Sequence, residues 1–346
     1  MASLGFVGGF ALHQPNMSER RSALDATALV CILLCCVLWG INQSAAKAAL
    51  PEIPPLTQAA LRSLGAALLV LAWSRWRGIT LFERDGTLPG GLLAGALFAA
   101  EFGMIFWGLQ YTHASRMIVF IYLSPFVVAL GMPWITRSER LRPAQWLGLV
   151  TAFGGVAAAF SEGFGAPAAG PMQWLGDAMG LLAALFWGAT TLAIRATKLS
   201  SAPAEKTLFY QLAVSAPLLG LVAWGLGEPW PASWSSLALG SMFFQIVVIT
   251  FASYLLWFWL IRHYPATRLA SFTLLTPLSG LLAGMMLLGE PATPRLLAAL
   301  VAVGVGIWLV NRPAQQPAAS GPNSHTHTHT HTHTNTQSHT EKEPST

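Results

Sequence analysis

Charge is what this sequence has least of. Asp, Glu, Lys and Arg together make up 10% of 346 residues, against about 25% in an ordinary soluble domain. So few charges cannot cover the surface of a soluble globule of this length. Glycine lacks a three-residue period, and the apolar runs are long and neutral, which excludes collagen and wholesale disorder. Cysteine is nearly absent. Cys31, Cys35 and Cys36 share one apolar run, so no disulfide framework is readable. Cys31 and Cys35 have the spacing of a soft-metal pair, but small packing thiols are the simpler reading. No Gly-x-x-x-x-Gly-Lys-Ser/Thr motif is present for ATP. The aspartates are only Asp25, Asp85 and Asp177, too few for an Asp-rich diphosphate site working through Mg²⁺. No Gly is followed two residues later by Ser, so the elbow of a serine-type intramembrane protease is missing. These absences leave an intramembrane enzyme as the weaker reading, imply no cofactor, and leave out the charge rings and filter loops of a channel.

What is present is length enough for about ten apolar helical spans of about 20 residues. They read as 26–47, 56–74, 88–109, 115–134, 143–161, 175–196, 207–226, 236–261, 267–288 and 293–311. The breaks carry turn residues: Pro51 to Pro55, Gly86 to Pro89, Arg142-Pro143, Pro167 to Pro171, Glu228 to Pro231, and Pro291 to Pro294. The fold class expected is therefore all-α and integral to a membrane. A net charge of +5 does not indicate nucleic acid, because the basic residues are spread through short loops. With the N-terminus inside, Arg20, Arg21, Arg75, Arg77, Arg84, Arg137, Arg140, Arg142, Arg195, Lys198, Lys206, Arg262, Arg268, Arg312 and Lys342 fall inside. Only Arg116 and Arg295 fall at outer ends. That asymmetry predicts a multi-pass protein of the cell (inner) membrane with both termini cytoplasmic. Residues 1–25 read as a cytoplasmic segment whose start is as well placed at Met17 as at Met1. Residues 312–346 read as a disordered cytoplasmic tail.

The chain also repeats itself at an offset of about 150 residues. Ala114-Ser115-Arg116 matches Ala266-Thr267-Arg268, and Ser124-Pro125 matches Thr276-Pro277. Phe106-Trp107 matches Phe258-Trp259, Trp39-Gly40 matches Trp187-Gly188, Lys47 matches Arg195, and Glu139 with Pro143 matches Glu290 with Pro294. The matches follow chain order and define units 26–161 and 175–311, each with five spans. An odd count makes the second copy enter from the opposite side, an inverted repeat of the kind found in secondary transporters.

These residues resemble the drug/metabolite transporter superfamily, EamA type. The resemblance rests on Trp39-Gly40 with Asn42 and Lys47, Leu61-Arg62, Leu123-Ser124-Pro125 and the glycines from Gly148 to Gly155. In the second unit it rests on Gly176-Asp177, Trp187-Gly188, Leu275-Thr276-Pro277 and Leu288-Gly289-Glu290-Pro291. It covers residues 26–311. It implies a ten-helix carrier for a small metabolite, most often an exporter, working by alternating access. Amino acids, sugars, amines and nucleotide derivatives are all substrates within the family, so the resemblance selects none.

Polar groups inside hydrocarbon mark the candidate site. Glu101, between Ala100 and Phe102 in the third span, is the candidate ion-coupling residue, with a proton as candidate ion; an ion pair with Arg62 or Lys47, or a bond to Gln110, is its structural alternative. Ser253 stands at the cognate position. Glu101 is also the only acid read as well buried. Lys47 and Arg62 are expected to snorkel to the outer interface, with carboxylate binding as the alternative. Arg195 reads as a topology charge. Pro125 and Pro277 are candidate hinges, each freeing a carbonyl one turn earlier and bending its helix. Trp39, Asn42, Glu101, Tyr122, Trp187 and Tyr254 are the candidate cavity wall for an amphipathic solute, alongside Trp107 and Trp259. Trp224, Trp230 and Trp234 suit an interface belt. Gly91 and Gly95, Gly176 and Gly180, and Gly280 and Gly284 suit close helix packing. In the tail, His325, His327, His329, His331 and His333 alternate with Thr and are followed by His339, a pattern that binds divalent metals weakly. A divalent metal exporter is therefore the alternative function, although no ligand pair lies in the spans.

Overall fold

A computed structural model describes residues 25–135, 143–165, 167–264, 269, 272–273 and 275–311. Met17, Arg20, Arg21, Arg137, Glu139, Arg140, Arg142, Ala266, Thr267, Arg268, Arg312, Lys342 and the tail histidines lie outside them.

Twelve α-helices run through the described residues, with no strand. The first half holds α1 (Ala26–Ala49), α2 (Pro55–Trp76), α3 (Leu88–Gly108), α4 (Ala114–Ile121), α5 (Ser124–Ile135) and α6 (Pro143–Gly165). The second holds α7 (Gln173–Ala196), α8 (Ala204–Gly225), α9 (Ser236–Phe243), α10 (Tyr254–His263), α11 (Leu275–Leu288) and α12 (Pro294–Asn311). A π-helix, Phe244–Ser253, joins α9 to α10. Among the described residues eight apolar segments are long enough to cross a membrane, and α11 and residues 294–309 are two shorter ones. Local chemistry sets the ends. Asp25 caps α1 through the Ala28 amide at 2.8 Å, Pro55 opens α2 where no amide partner is needed, and Ser235 caps α9. Gly289, at φ 66, ends α11 in the left-handed conformation and turns the chain into Glu290.

The interior is where the polar side chains are. Val30, Leu68, Val150, Leu221 and Val301 are exposed, whereas Gln58, Arg62, Ser63, Asp177 and Gln245 are buried. Such a surface is matched to lipid, and the helices associate through small residues and polar contacts. Gly91 and Gly95 press on Tyr210 and Val214 of α8, Gly176 on Gly108 and Thr112, and Gly280 on Ile118.

The halves pack in cognate pairs. α1 lies on α11 as α7 lies on α5, and α1 meets the π-segment as α7 meets α3. Three further pairs, α2 with α8, α4 with α11 and α6 with α12, join a span to its own cognate. Exchanging the halves therefore maps the packing onto itself. The repeated Trp-Gly explains how. A Cβ on Gly40 would stand 2.6 Å from the Gly280 backbone nitrogen, just beyond Pro277. One on Gly188 would stand 2.5 Å from Val127 Cβ, just beyond Pro125. Each motif glycine lets the first helix of one half lie on the proline segment of the other. Gly40→Ala is expected to destabilise the protein by about 1–3 kcal/mol, because backbone cannot yield as a side chain does. An unchanged melting temperature in detergent would refute this.

The fourth span is broken rather than bent. α4 ends at Ile121 and α5 starts at Ser124, one residue ahead of Pro125. Proline suits the first turn of a helix, where its missing N–H costs nothing, and the chain restarts there. Pro277 likewise sits in the first turn of α11.

Candidate functional site

Four of the candidate wall residues, Trp39, Tyr122, Trp187 and Tyr254, come together between the halves. Trp39 of α1 donates its indole N–H to Ser253 Oγ at 2.8 Å, and Ser253 donates to the Ile249 carbonyl. The Trp39 ring lies edge-on to Tyr254 at 6.4 Å and to Trp257 at 5.5 Å. Tyr122, in the break between α4 and α5, lies edge-on to Trp187 of α7 at 5.9 Å, with Cys36, Thr276 and Tyr254 also close. Trp187 packs against both large apolar clusters of the bundle. Glu101 is 5% exposed, about 20 Å along α3 from its start. Asn42 is buried, with its side-chain oxygen unpartnered. Trp259 is elsewhere, exposed and packed on His263 and Tyr264. Trp224 and Trp230 are exposed, as belt residues would be.

Arg62 departs from expectation. It does not snorkel: it is 0% exposed, about 10 Å inside α2. Its guanidinium lies 3.7 Å from the Phe102 ring centroid and 5.5 Å from that of Phe106. The Tyr254 hydroxyl and the Glu101 carboxyl are its polar neighbours, the hydroxyl being near enough to interact with the guanidinium as a hydrogen-bonding group. Among the described residues no carboxylate or carbonyl bonds to Nε, Nη1 or Nη2, so Glu101 is not bonded to it. The π-segment brings Tyr254 here. Ten residues of π-helix are rare, and such segments concentrate at functional sites. Gly65, three residues after Arg62, admits Ile246 of that segment.

Glu101 is not the only buried acid, and Arg116 is not an outer topology charge. Arg116 is 1% exposed. Its Nε and Nη2 donate to Asp177 at 3.1 and 2.5 Å, its Nη1 donates to Glu162 at 2.8 Å, and Nη2 also reaches the Ala159 carbonyl at 2.6 Å. Thr112 donates to Asp177, and Thr293 to Glu162. This cluster ties α4, α6 and α7 together at the bundle end where α1 finishes. Beside it Glu290 accepts the Ala114 and Ser115 amides at 2.8 and 3.0 Å, with Lys47 Nζ 3.6 Å and His113 Nδ1 3.5 Å away. Lys47 also donates to the Thr112 carbonyl. Burial pushes the Glu290 carboxyl up, but His113 and the Ser115 and Ala114 donors outweigh it and hold it at about 2. Its contribution to stability is therefore full above the ordinary carboxylate range and is lost as pH falls toward about 2. Glu228 receives the Leu56 and Thr57 amides of α2, and Glu52 the Ser235 amide of α9. Three acids thus sit at helix N-termini of the opposite half, where the helix dipole favours them. At the other end Lys206, 1% exposed, pairs with Asp85 at 2.7 Å, and the Lys206 and Thr87 donors hold the Asp85 carboxyl below its usual range.

A signal for the Arg116 cluster did exist. Asp177 is one of three aspartates and stands inside an apolar run, so it needed a partner from some other helix. Among the described residues, no group of three or more His, Cys, Asp or Glu is arranged to hold a metal ion.

A family model described as the EamA-like transporter family matches residues 26–161 and again 174–312. An uncharacterized transporter of Bacillus subtilis (strain 168), YvbV, is 30% identical over 314 residues, covering 89% of this chain and 98% of that protein. A protein of Salmonella typhimurium named "Probable amino-acid metabolite efflux pump" is 25% identical over 287 residues, covering 80% of this chain and 92% of its own length. A crystal structure of a protein aligns with TM-score 0.55 at 19% identity, over 82% of this chain and 97% of that one, a likeness of fold alone.

Proposed function

The chain belongs to the EamA-like transporter family, and on that premise we propose that it is a secondary carrier exporting a small amino acid, amine or related metabolite. Its two units are the halves 26–161 and 175–311, which move against each other in alternating access. The termini face the cytoplasm of a cell bounded by the inner membrane, following the placement of basic loops. The observation that carries the reading is a buried acid and a buried base, Glu101 and Arg62, set among aromatic rings between the halves. Charges in that position are too costly to keep for packing alone, and they mark a solute or ion path. The cognate packing supplies the two states: each pair of helices has a partner pair whose geometry it adopts when the halves exchange roles. Proton coupling at Glu101 and hinge action at Pro125 and Pro277 belong to the same proposal.

The test is transport by purified protein in liposomes under an imposed proton gradient. Labelled amino acids and amines are offered singly. Gradient-dependent flux of at least one is expected, and flux of none would overturn the reading. Trp187→Ala is expected to lower that flux about tenfold while the protein still inserts and elutes as the wild type does, because one side of the Tyr122 contact is lost. Unchanged flux removes Trp187 from the site.

A further inference from the structure

We infer that Arg62 anchors the carboxylate of the transported solute, and that the solute is an α-amino-acid-type zwitterion whose ammonium group faces Glu101. The inference rests on the carrier reading above and adds the class of substrate to it.

The same protein contains two buried arginines, and they differ in kind. Arg116 shows what a structural arginine looks like here, with Nε, Nη1 and Nη2 all engaged by Asp177, Glu162 and a carbonyl. Arg62 is as deeply buried, yet no carboxylate or carbonyl bonds to its guanidinium nitrogens; the polar group beside them is the Tyr254 hydroxyl. A buried cation left in this state is strongly unfavourable. The Phe102 ring at 3.7 Å covers one face of the guanidinium. A ring under the face holds the group flat and leaves its in-plane N–H edge free. That edge presents parallel donors whose geometry matches two coplanar oxygens, as in a carboxylate.

Charge balance selects among the ligands that bear a carboxylate. Glu101 is near enough to act on Arg62 electrostatically but does not bond to it. With Glu101 ionised, the two groups sum to zero. A plain amine entering this space would meet Arg62 with like charge, and a plain carboxylate would meet Glu101 with like charge. Both repulsions are large where water is excluded. A zwitterion meets each group with its opposite, and it arrives neutral overall. The neighbouring Tyr254 and Trp39 offer apolar ring area to the rest of the solute.

The test uses wild-type protein in liposomes, with each of the common amino acids and its decarboxylated amine and deaminated acid as labelled probes. At least one amino acid is expected to be carried about a hundredfold faster than its amine and its acid, since a site built to bond a group rejects the analogue lacking it. Arg62→Lys should retain part of that flux, and Arg62→Gln should lose it. Amines carried as fast as amino acids would overturn this inference and leave the carrier reading standing. No flux of any probe would overturn both. Undiminished amino-acid flux in a folded Arg62→Gln protein would overturn the role of Arg62. The comparison of probes on the wild type decides the substrate class even if Arg62 variants fail to insert.

Discussion

Arg116→Met is expected to destabilise the protein by about 3–5 kcal/mol, enough to abolish a cooperative melt in detergent. The substitution removes the only guanidinium that reaches both Asp177 and Glu162 among the described residues. Asp177 is 0% exposed and, among the described residues, keeps the Thr112 hydroxyl as its hydrogen-bond partner. An uncompensated carboxylate in that position must either acquire a proton or open the helix contacts around it. Arg116→Lys should recover part of the loss, since one ammonium replaces one of several donors. The pair Arg116→Met with Asp177→Leu should be milder than Arg116→Met alone, because the stranded charge goes with it. Thermal unfolding of purified protein, followed by size-exclusion, reads all three. A wild-type melt for Arg116→Met would show that water reaches the cluster and that its burial is apparent only.

That cluster also shows where a linear reading stops. The spans were legible because lipid imposes one length on every crossing segment: 88–109 was expected and α3 is Leu88–Gly108. Gly40 and Gly188 were legible as a repeat because the same backbone approach is needed twice. Arg116 was not legible, because a charge near a span end reads the same whether it faces headgroups or three helices. Its partners lie 46 and 61 residues away in sequence. Arg62 failed for a related reason. α2 has no strongly polar stripe to show which side faces the bundle, so the sequence favours snorkelling, the commoner fate of an arginine in a span. The break ahead of Pro125 was read as a bend because proline's effect depends on whether the helix has already begun. The π-segment left no trace at all. Its register is set by packing against α1 and α2, and nothing in Phe244–Ser253 differs in kind from an ordinary apolar helix.

Glu101→Gln is expected to abolish gradient-driven flux, by about a hundredfold or more, while leaving the melt unchanged or slightly raised. The two halves of that expectation separate coupling from packing. Glutamine keeps the shape of glutamate and discards its charge. If Glu101 served as the counter-ion that makes Arg62 tolerable, removing the charge would strand a guanidinium at 0% exposure and lower stability by about 3–5 kcal/mol. But no nitrogen of Arg62 bonds to Glu101, and the Phe102 ring already holds the cation. On the proposed mechanism the carboxylate adds a group that takes and gives a proton between the halves, which glutamine cannot do. Exchange of labelled for unlabelled solute, with no gradient, then distinguishes the remaining roles. A residue that only couples the proton leaves such exchange intact in the Gln variant. A residue that also binds the solute's ammonium group loses both. Because the zwitterion proposed above places its ammonium on Glu101, loss of both is the expected result. Retained exchange would confine Glu101 to coupling and move the ammonium contact to the rings of Trp39 and Tyr254.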